Sequence, residues 1–218
     1  MIRRLYSWFY KLTARNDEKG EYACGIIQCI IRDEALKLCR LQSGKALEIG
    51  TGAGLFLVKF ARQNPLLKIS SVDMNDACLD RAAGKIAGSG MENVKLLHQD
   101  AQALSFDDNY FDLVICINFF IDVDIESMIR VLSEMRRVCK PSGRIIFEFR
   151  SSRNALFKLK YKLARYYDPS APYPLYTYDP DRVDGIMKEM NMRIVEKRYI
   201  GFPVKYYAPI IMVEASKS

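Results

Sequence analysis

The chain has 218 residues, of which 50% are hydrophobic and 27% are charged. This is the composition of a globular protein, and it excludes collagen-like, low-complexity and disordered chains. The formal net charge is +7. No apolar run reaches the length of about 18 residues that a membrane span needs, so we expect a soluble chain without a signal peptide.

Apolar periodicity predicts a first helix over residues 22–40, followed by short apolar runs that alternate with helical patterns. The predicted strands cover residues 46–49, 68–72, 94–97, 112–117 and 144–149. The predicted helices between them cover residues 55–63, 75–86 and 125–139. Strands joined by helical crossovers predict a parallel sheet with helices on both faces.

The pattern changes after residue 150. Residues 153–178 hold six of the 13 tyrosines and most of a basic cluster. Asp179 followed by Pro180 is a typical helix start, and the helix is expected to reach residue 192. Strands at 193–200 and 208–215 close the chain. Because the connection between them is short, we expect an antiparallel hairpin.

The cysteines and the histidine give no sign of a metal site. The chain has six cysteines, none in a C-x-x-C pair, and a single histidine, His98. A structural zinc site needs such ligands at short spacing. We therefore expect no metal, reduced cysteines in the core of a cytoplasmic protein, and a structural role for His98.

The first predicted strand ends in A-L-E-I-G-T-G-A-G, where Gly50, Gly52 and Gly54 open the next helix. Glycines allow a tight turn and let a ligand approach the backbone. The spacing differs from the G-x-G-x-x-G of dinucleotide folds, and no P-loop Lys-Ser/Thr follows. A ligand with a ribose and an adenine but no phosphate fits better, although a glycine run alone also occurs in simple turns.

Three acidic residues strengthen this prediction. Glu48 precedes Gly50 by two residues, Asp73 ends the second strand, and Asp100 with Ala101 ends the third. Open α/β sheets bind ligands at the carboxyl ends of their strands, where these residues are expected to meet. There the Asp73 carboxylate could accept both ribose hydroxyls, and Asp100 could lie beside an adenine edge. The alternative is three solvated loop acids.

Together these motifs resemble those of class I S-adenosylmethionine-dependent methyltransferases, in the broad subgroup that includes ubiquinone and menaquinone C-methyltransferases. The resemblance covers residues 44–150 by motif and 20–215 by element order. It implies one methyltransferase domain over residues 1–218, with S-adenosylmethionine as cofactor. The implied fold is α/β: a Rossmann-like seven-stranded sheet, mostly parallel, with the last strand antiparallel and helices on both faces.

The resemblance also implies site residues. The glycine motif would contact the methionine moiety and the ribose, Met74 would pack on adenine, and Asn118 would lie near the methionine end. K-P-S-G resembles the entry to the fifth strand, usually K-P-G-G, with Ser142 as the departure. The implied cofactor-binding residues are Glu48, Gly50, Thr51, Gly52, Gly54, Asp73, Met74, Asp100, Ala101 and Asn118.

Asn118 is also a weak candidate for a catalytic polar group, the alternative being an amide that caps a strand end. Methyl transfer needs mainly alignment of the reacting atoms and exclusion of water, and no general base is assigned. Residues 118–121 read N-F-F-I and lack the N/D-P-P-Y/F turn of enzymes that methylate adenine or glutamine. This counts against those acceptors.

Two segments, residues 1–22 and 151–178, are expected to form a lid over an apolar or aromatic small-molecule acceptor. Their basic residues could face anionic lipid, which would suit an amphiphilic acceptor such as a quinone or lipid precursor. The same residues could instead follow the phosphate backbone of a nucleic acid, or they could form a solvated face. The aromatic lid candidates, which could instead be packing residues, are Trp8, Phe9, Tyr10, Tyr166, Tyr167, Tyr173, Tyr176 and Tyr178.

Three functions follow from this resemblance. Methylation of a small molecule is the main expectation. RNA methylation is disfavoured by the compact size and the lack of an appended binding domain, so nucleic acid is not expected as a partner. The third function is that of a non-catalytic regulatory subunit that binds S-adenosylmethionine. The intact motif argues against this function. The acceptor and the oligomeric state are left open.

Overall fold

The chain folds around one seven-stranded sheet, and the computed structural model describes residues 26–167, 174–201 and 203–218. The helices are α1 (Ile26–Leu38), α2 (Leu55–Gln63), α3 (Asp76–Ala87), α4 (Ile125–Val138), α5 (Ala155–Tyr167) and α6 (Pro180–Glu189). The strands are β1 (Gly44–Ile49), β2 (Leu67–Asp73), β3 (Val94–His98), β4 (Phe111–Cys116), β5 (Cys139–Arg150), β6 (Met192–Ile200) and β7 (Ile210–Lys217). A short 3-10 helix, Lys205–Tyr207, precedes β7.

The strand order is β3-β2-β1-β4-β5-β7-β6. Strands β1 to β5 pair in parallel, and β7 runs antiparallel to both β5 and β6. The Rossmann-like sheet with an antiparallel last strand and the closing hairpin are therefore confirmed. The strand order reverses between β1 and β4, so the carboxyl ends of these strands border the crevice where open α/β sheets bind ligands.

Helices cover both faces of the sheet. Alternate residues of each central strand point to opposite faces, so the apolar side chains on both faces need a layer of helices to bury them. On β4, Val114 packs with Met128 of α4 in one buried cluster, which also includes residues of α6. The neighbouring Ile115 belongs to the cluster on the other face, with Ile31 of α1 and Phe60 of α2. The near-continuous apolar sequence of β4 is thus explained by burial on both sides.

Polar side chains at the helix starts define where three helices begin. Asn75 accepts a hydrogen bond from the N–H of Cys78 at the start of α3 over 3.2 Å. The side chain of Asp124 accepts from the N–H of Ser127 at the start of α4. The side chain of Asp179 accepts from the N–H of Asp181 at the start of α6, where Pro180 is the first helical residue. Such caps satisfy N–H groups that have no partner within the helix. The predicted helix start at Asp179 and Pro180 is confirmed.

The main departure from the sequence prediction is α5, a 13-residue helix within the segment predicted only as a lid. Asn154 caps it by accepting from the N–H of Phe157 over 2.8 Å. Strand β5 also begins earlier than predicted, at Cys139, because Cys139 pairs with Phe111 across an irregularity in the register. Residues 1–22 and Tyr173 lie outside the described residues.

The described part of the chain contains five cysteines, and all are buried free thiols. Burial raises the pKa of Cys116 well above its ordinary value. In the same ranges, no cluster of histidine, cysteine and acidic side chains could hold a metal ion. None of the helices described is long and apolar enough to span a bilayer.

Candidate active site

The loop between β1 and α2 requires glycine. Gly50, Gly52 and Gly54 have φ angles of +82°, +51° and +74°, which L side chains rarely adopt. A Cβ atom on Gly50 would lie 2.8 Å from Cδ2 of Phe119, and one on Gly54 would lie 3.1 Å from Cα of Ala82. The loop is therefore a backbone cradle at the N-terminus of α2, in which a side chain at Gly50 or Gly54 would collide with its neighbours.

Asp73 ties this cradle to the end of β2. Its Oδ2 atom accepts a hydrogen bond from the N–H of Gly52 over 2.8 Å, and its Oδ1 atom accepts from the N–H of Asn75 over 2.9 Å. The side chain is half-buried. Each carboxylate oxygen can accept a further hydrogen bond, so Asp73 keeps the capacity to bind the two hydroxyls of a ribose.

Glu48 is a buried residue of β1 that is linked to the glycine loop through Ser71 and Thr51. Its side chain is 1% exposed and accepts a hydrogen bond from the hydroxyl of Ser71, which lies 2.6 Å from the hydroxyl oxygen of Thr51. Burial raises the pKa of Glu48 to about 8, although the bond from Ser71 lowers it. Nearby Asp73 adds to the rise. The carboxyl group is thus largely protonated near neutral pH and anchors Thr51 through Ser71.

The residues predicted to meet the adenine lie after the next strand and at the end of β2. Asp100 follows β3 and accepts from the N–H of Gln102 over 2.8 Å, while Ala101 is buried beside it. Met74 follows β2 and is 61% exposed. The structure therefore brings Glu48, Asp73 and Asp100 to the carboxyl ends of three neighbouring strands, as the sequence predicted.

Asn118 lies at the end of β4, across the crevice from the cradle. Its φ angle is +55°, a conformation that asparagine tolerates better than most residues. Its N–H donates to Oε1 of Glu148 over 2.7 Å, and its Oδ1 accepts from Nη2 of Arg150 over 3.1 Å. Asn118 is therefore held at both its backbone and its side chain.

Glu148 and Arg150 form a buried ion pair on one face of β5, with their side chains at most 2% exposed. Nε of Arg150 also donates to the hydroxyl oxygen of Tyr161 on α5 over 3.1 Å. Burial alone would lower the pKa of Arg150, but the charge of Glu148 raises it, so the guanidinium stays charged. A buried charge needs such partners.

Sequence reasoning missed Ser71, Glu148 and Tyr161 as parts of this site. A signal was present for two of them. Ser71 stands two residues before Asp73, and Glu148 stands two residues before Arg150 in an otherwise apolar strand. Polar residues two apart share one face of a strand, so in a buried strand they must find partners there.

Two further residues that the sequence singled out lie at the carboxyl end of β3, beside Asp73, and in the core. His98 is exposed, with Nδ1 3.2 Å from Oδ1 of the exposed Asp76. Tyr178 is buried, donates its hydroxyl to the carbonyl of Val123 and packs edge-on against Phe149. Tyr178 is therefore a packing residue and not part of a lid.

Comparison with known proteins indicates the family that the sequence motifs resemble. Residues 46–143 match the model of a methyltransferase domain family. The chain is similar to a ubiquinone/menaquinone biosynthesis C-methyltransferase of Saccharophagus degradans, at 32% identity over 164 residues, covering 73% of this chain and 65% of that protein. It is also similar to a phosphatidylethanolamine N-methyltransferase of Cereibacter sphaeroides, at 34% identity over 128 residues, covering 57% of this chain and 61% of that protein. The chain thus spans less than two thirds of both relatives.

Solved structures share the fold. A protein of Pyrococcus horikoshii OT3 superposes with a TM-score of 0.74 at 20% identity, covering 97% of this chain and 99% of that one. The magnesium protoporphyrin IX methyltransferase of Synechocystis PCC 6803, solved with bound SAH (S-adenosylhomocysteine), superposes with a TM-score of 0.68 at 18% identity, covering 86% of this chain and 82% of that one. With the glycine cradle and the acidic strand ends, the family match and the two relatives support a class I S-adenosylmethionine-dependent methyltransferase.

Proposed function

We propose that this protein transfers a methyl group from S-adenosylmethionine to a small amphiphilic molecule, with a quinone or lipid precursor favoured. The observation that carries the proposal is the glycine cradle tied to Asp73 near the reversal of strand order. This arrangement would suit a nucleoside without phosphates. The acceptor class is supported by the two curated relatives, named for quinone biosynthesis and for phosphatidylethanolamine.

The cofactor site would use the strand ends in order. In this proposal Asp73 binds the ribose hydroxyls, Asp100 and Ala101 meet the adenine edge, and Met74 packs on the adenine ring. Gly50, Thr51, Gly52 and Gly54, supported by Glu48, hold the methionine side. The bound cofactor supplies an electrophilic methyl group on a sulfonium. The protein's contribution is orientation and exclusion of water, which can lower the barrier to an in-line displacement.

Asn118 would face the methionine end of the cofactor. The ion pair of Glu148 and Arg150 fixes its position, and Tyr161 brings α5 to the same corner. Because a displacement of about 1 Å in a reacting group can cost a factor of a hundred in rate, fixed positioning matters here more than a proton donor. No general base is part of the proposal.

The acceptor would enter between the segments 1–22 and 151–178 of a single domain, and would be taken up at an anionic membrane surface. We place the protein in the cytoplasm, because buried reduced thiols such as Cys39 and Cys116 fit a reducing compartment. Residues 150–167 carry six basic residues and no acidic one, which favours an anionic surface as the source of the acceptor.

The first experiment is calorimetric titration of the full chain with S-adenosylhomocysteine, with NAD and ATP as control ligands. We expect selective micromolar binding of S-adenosylhomocysteine. Selective binding of NAD would contradict the cofactor site.

The second experiment follows transfer of a labelled methyl group to demethylmenaquinone, to phosphatidylethanolamine and to a structured RNA. We expect incorporation into one of the two lipids. Incorporation into RNA alone would overturn the proposed acceptor class. Persistent cofactor binding without product across the panel would support a regulatory binding subunit instead.

A further inference from the structure

Helix α5 has apolar residues on two opposite faces. Phe157 and Tyr161, one turn apart, pack together with ring centroids 4.7 Å apart, and the Tyr161 hydroxyl oxygen accepts from a buried arginine of β5. Leu156, Leu159 and Leu163 are 79%, 52% and 45% exposed. The helix is thus anchored by its aromatic face, while its leucines point to solvent.

The exposed leucines form a narrow stripe with positive charge on both sides. At about 100° per residue, Leu156, Leu159 and Leu163 fall within about 60° of one another around the helix axis. Lys160 lies about 40° beyond one edge of this stripe, and Lys162 about 60° beyond the other. An apolar stripe bordered by cations is the pattern of a helix that lies in the interface of a membrane.

Two exposed aromatic residues lie near the N-terminal end of α5. Tyr206 and Tyr207 are 57% and 49% exposed. The side-chain amide of Asn154, which caps α5, donates to the carbonyl of Tyr207 over 2.7 Å, and the guanidinium of Arg153 lies 4.6 Å from the ring centre of Tyr206. Tyrosine is enriched at membrane–water interfaces. We call the three leucines with these two tyrosines the leucine surface.

The charge around the leucine surface identifies the kind of partner. Arg153 pairs with Asp181, and Nζ of Lys160 lies 5.7 Å from the ring centre of Phe157. Lys158, Lys160 and Lys162 are all exposed, and residues 150–167 contain no acid. A second copy packed on this surface by two-fold symmetry would bring lysines against lysines, which is unfavourable. A nucleic acid would use the lysines but not the leucines. An anionic lipid surface satisfies both.

We propose that α5 docks the protein on an anionic membrane by inserting the leucine surface among the lipid headgroups. This inference rests on the proposed function for its biological purpose, since it deepens the account of how an amphiphilic acceptor reaches the site. The opposite face of α5 is bonded to Arg150, which in turn holds Asn118 at the end of β4. A docked α5 would therefore place this corner of the crevice next to the bilayer.

The test is sedimentation of the full chain with phosphatidylcholine vesicles that either contain or lack phosphatidylglycerol. We expect binding to the anionic vesicles that weakens as salt is added, and little binding to the neutral ones. The variant with Leu156→Gln, Leu159→Gln and Leu163→Gln should bind about a hundredfold or more weakly. The variant with Lys158→Gln, Lys160→Gln and Lys162→Gln should lose about fivefold per lysine.

Matched controls lie elsewhere on the surface. Leu66 is 74% exposed between α2 and β2, and Lys68, Lys95 and Lys188 are exposed on other elements. Leu66→Gln and the triple Lys→Gln variant at these positions should bind the anionic vesicles as the unchanged protein does. All variants should bind S-adenosylhomocysteine normally, which shows that they fold.

Three kinds of outcome would overturn the docking proposal. One is a vesicle result that differs from the expectation: either the protein does not bind anionic vesicles, or the leucine variant binds them as well as the unchanged protein does. Another is a concentration-dependent dimer that the leucine variant abolishes, without vesicle binding. The third is salt-sensitive retention of RNA in place of vesicles. Methyl transfer to a detergent-dispersed lipid without vesicle binding would refute docking alone, whereas vesicle binding without any turnover would refute the proposed function alone.

Discussion

Nη2 of Arg150 lies 3.1 Å from Oδ1 of Asn118, so a buried guanidinium on β5 fixes a residue with positive φ at the end of β4. Glu148 completes the arrangement by accepting the backbone N–H of Asn118 over 2.7 Å while it pairs with Arg150. The ends of two neighbouring strands are therefore held together by charge, and Tyr161 extends the same network to α5.

Glu148 and Arg150 should contribute to the free energy of unfolding in a coupled, non-additive way. Glu148→Gln leaves the buried Arg150 charge without its counter-charge, and removal of one partner of a buried pair typically costs about 3–5 kcal/mol. The double variant Glu148→Gln with Arg150→Met should be less destabilised than the sum of the single variants, as measured by denaturant unfolding in a double-mutant cycle. Additive effects would show that the two groups do not interact in solution.

Asp73→Ala should weaken cofactor binding. The loss expected for a hydrogen bond to a charged group is about 1.5–3 kcal/mol, or roughly 10- to 150-fold in the dissociation constant for S-adenosylhomocysteine. We expect the fold to survive, as judged by far-ultraviolet circular dichroism. Asp80→Ala, at an exposed position of α3, is the matched control and should bind normally. Unchanged affinity in Asp73→Ala would mean that the ribose lies elsewhere.

Gly50→Ala should destabilise the protein and weaken cofactor binding together. The φ angle of +82° costs an L residue about 1–2 kcal/mol, and the new methyl group would also press on Phe119. Gly84→Ala is the comparison, because a Cβ atom there meets nothing within 4 Å in the interior of α3. That variant should gain about 0.5–1 kcal/mol in denaturant unfolding. Equal responses would argue against the strained loop.

Glu48→Gln should remove part of the pH dependence of stability. The folded protein holds a proton on Glu48 up to a pKa of about 8, whereas the ordinary value is 4.5. Unfolding therefore releases a proton between these values. The contribution to stability is fully present below the lower value and is lost as the pH rises through the higher one.

The free energy of unfolding should thus fall more steeply from pH 5.5 to pH 8.5 in the unchanged protein than in Glu48→Gln, by at most about 1.4 kcal/mol per pH unit. Glu92→Gln, at an exposed position, should follow the unchanged protein. Parallel curves for all three proteins would show that the Glu48 carboxyl group is not buried and protonated.

Local sequence signals predicted much of this molecule. The alternation of apolar runs with helical patterns depends on neighbouring residues, so the order of strands and helices was predictable, as was the helix start at Asp179 and Pro180. The spacing of Gly50, Gly52 and Gly54 with Asp73 was also sufficient to predict the family. The fold is confirmed, and the comparisons support the family.

Helix α5 was not predictable in this way. Its apolar residues point both to the protein and to solvent, so the sequence lacks a single amphipathic stripe. The separate aromatic and leucine faces become visible only when Tyr161 is seen bonded to Arg150. The position of Tyr178 was not predictable either. It belongs to a tyrosine-rich segment that indicated a lid, but its hydroxyl donates to the carbonyl of Val123 in the interior.

The sequence by itself determined the order of strands and helices along the chain, the glycines that the loop requires, and the acids at three strand ends, because these depend on local periodicity and backbone conformation. Only the tertiary structure decided which buried polar groups meet. Glu48 with Ser71, and Arg150 with Glu148 and Asn118, are partners across different strands. Buried charges and hydroxyls must be satisfied within the fold, and the packing of the strands determines which partners lie within reach.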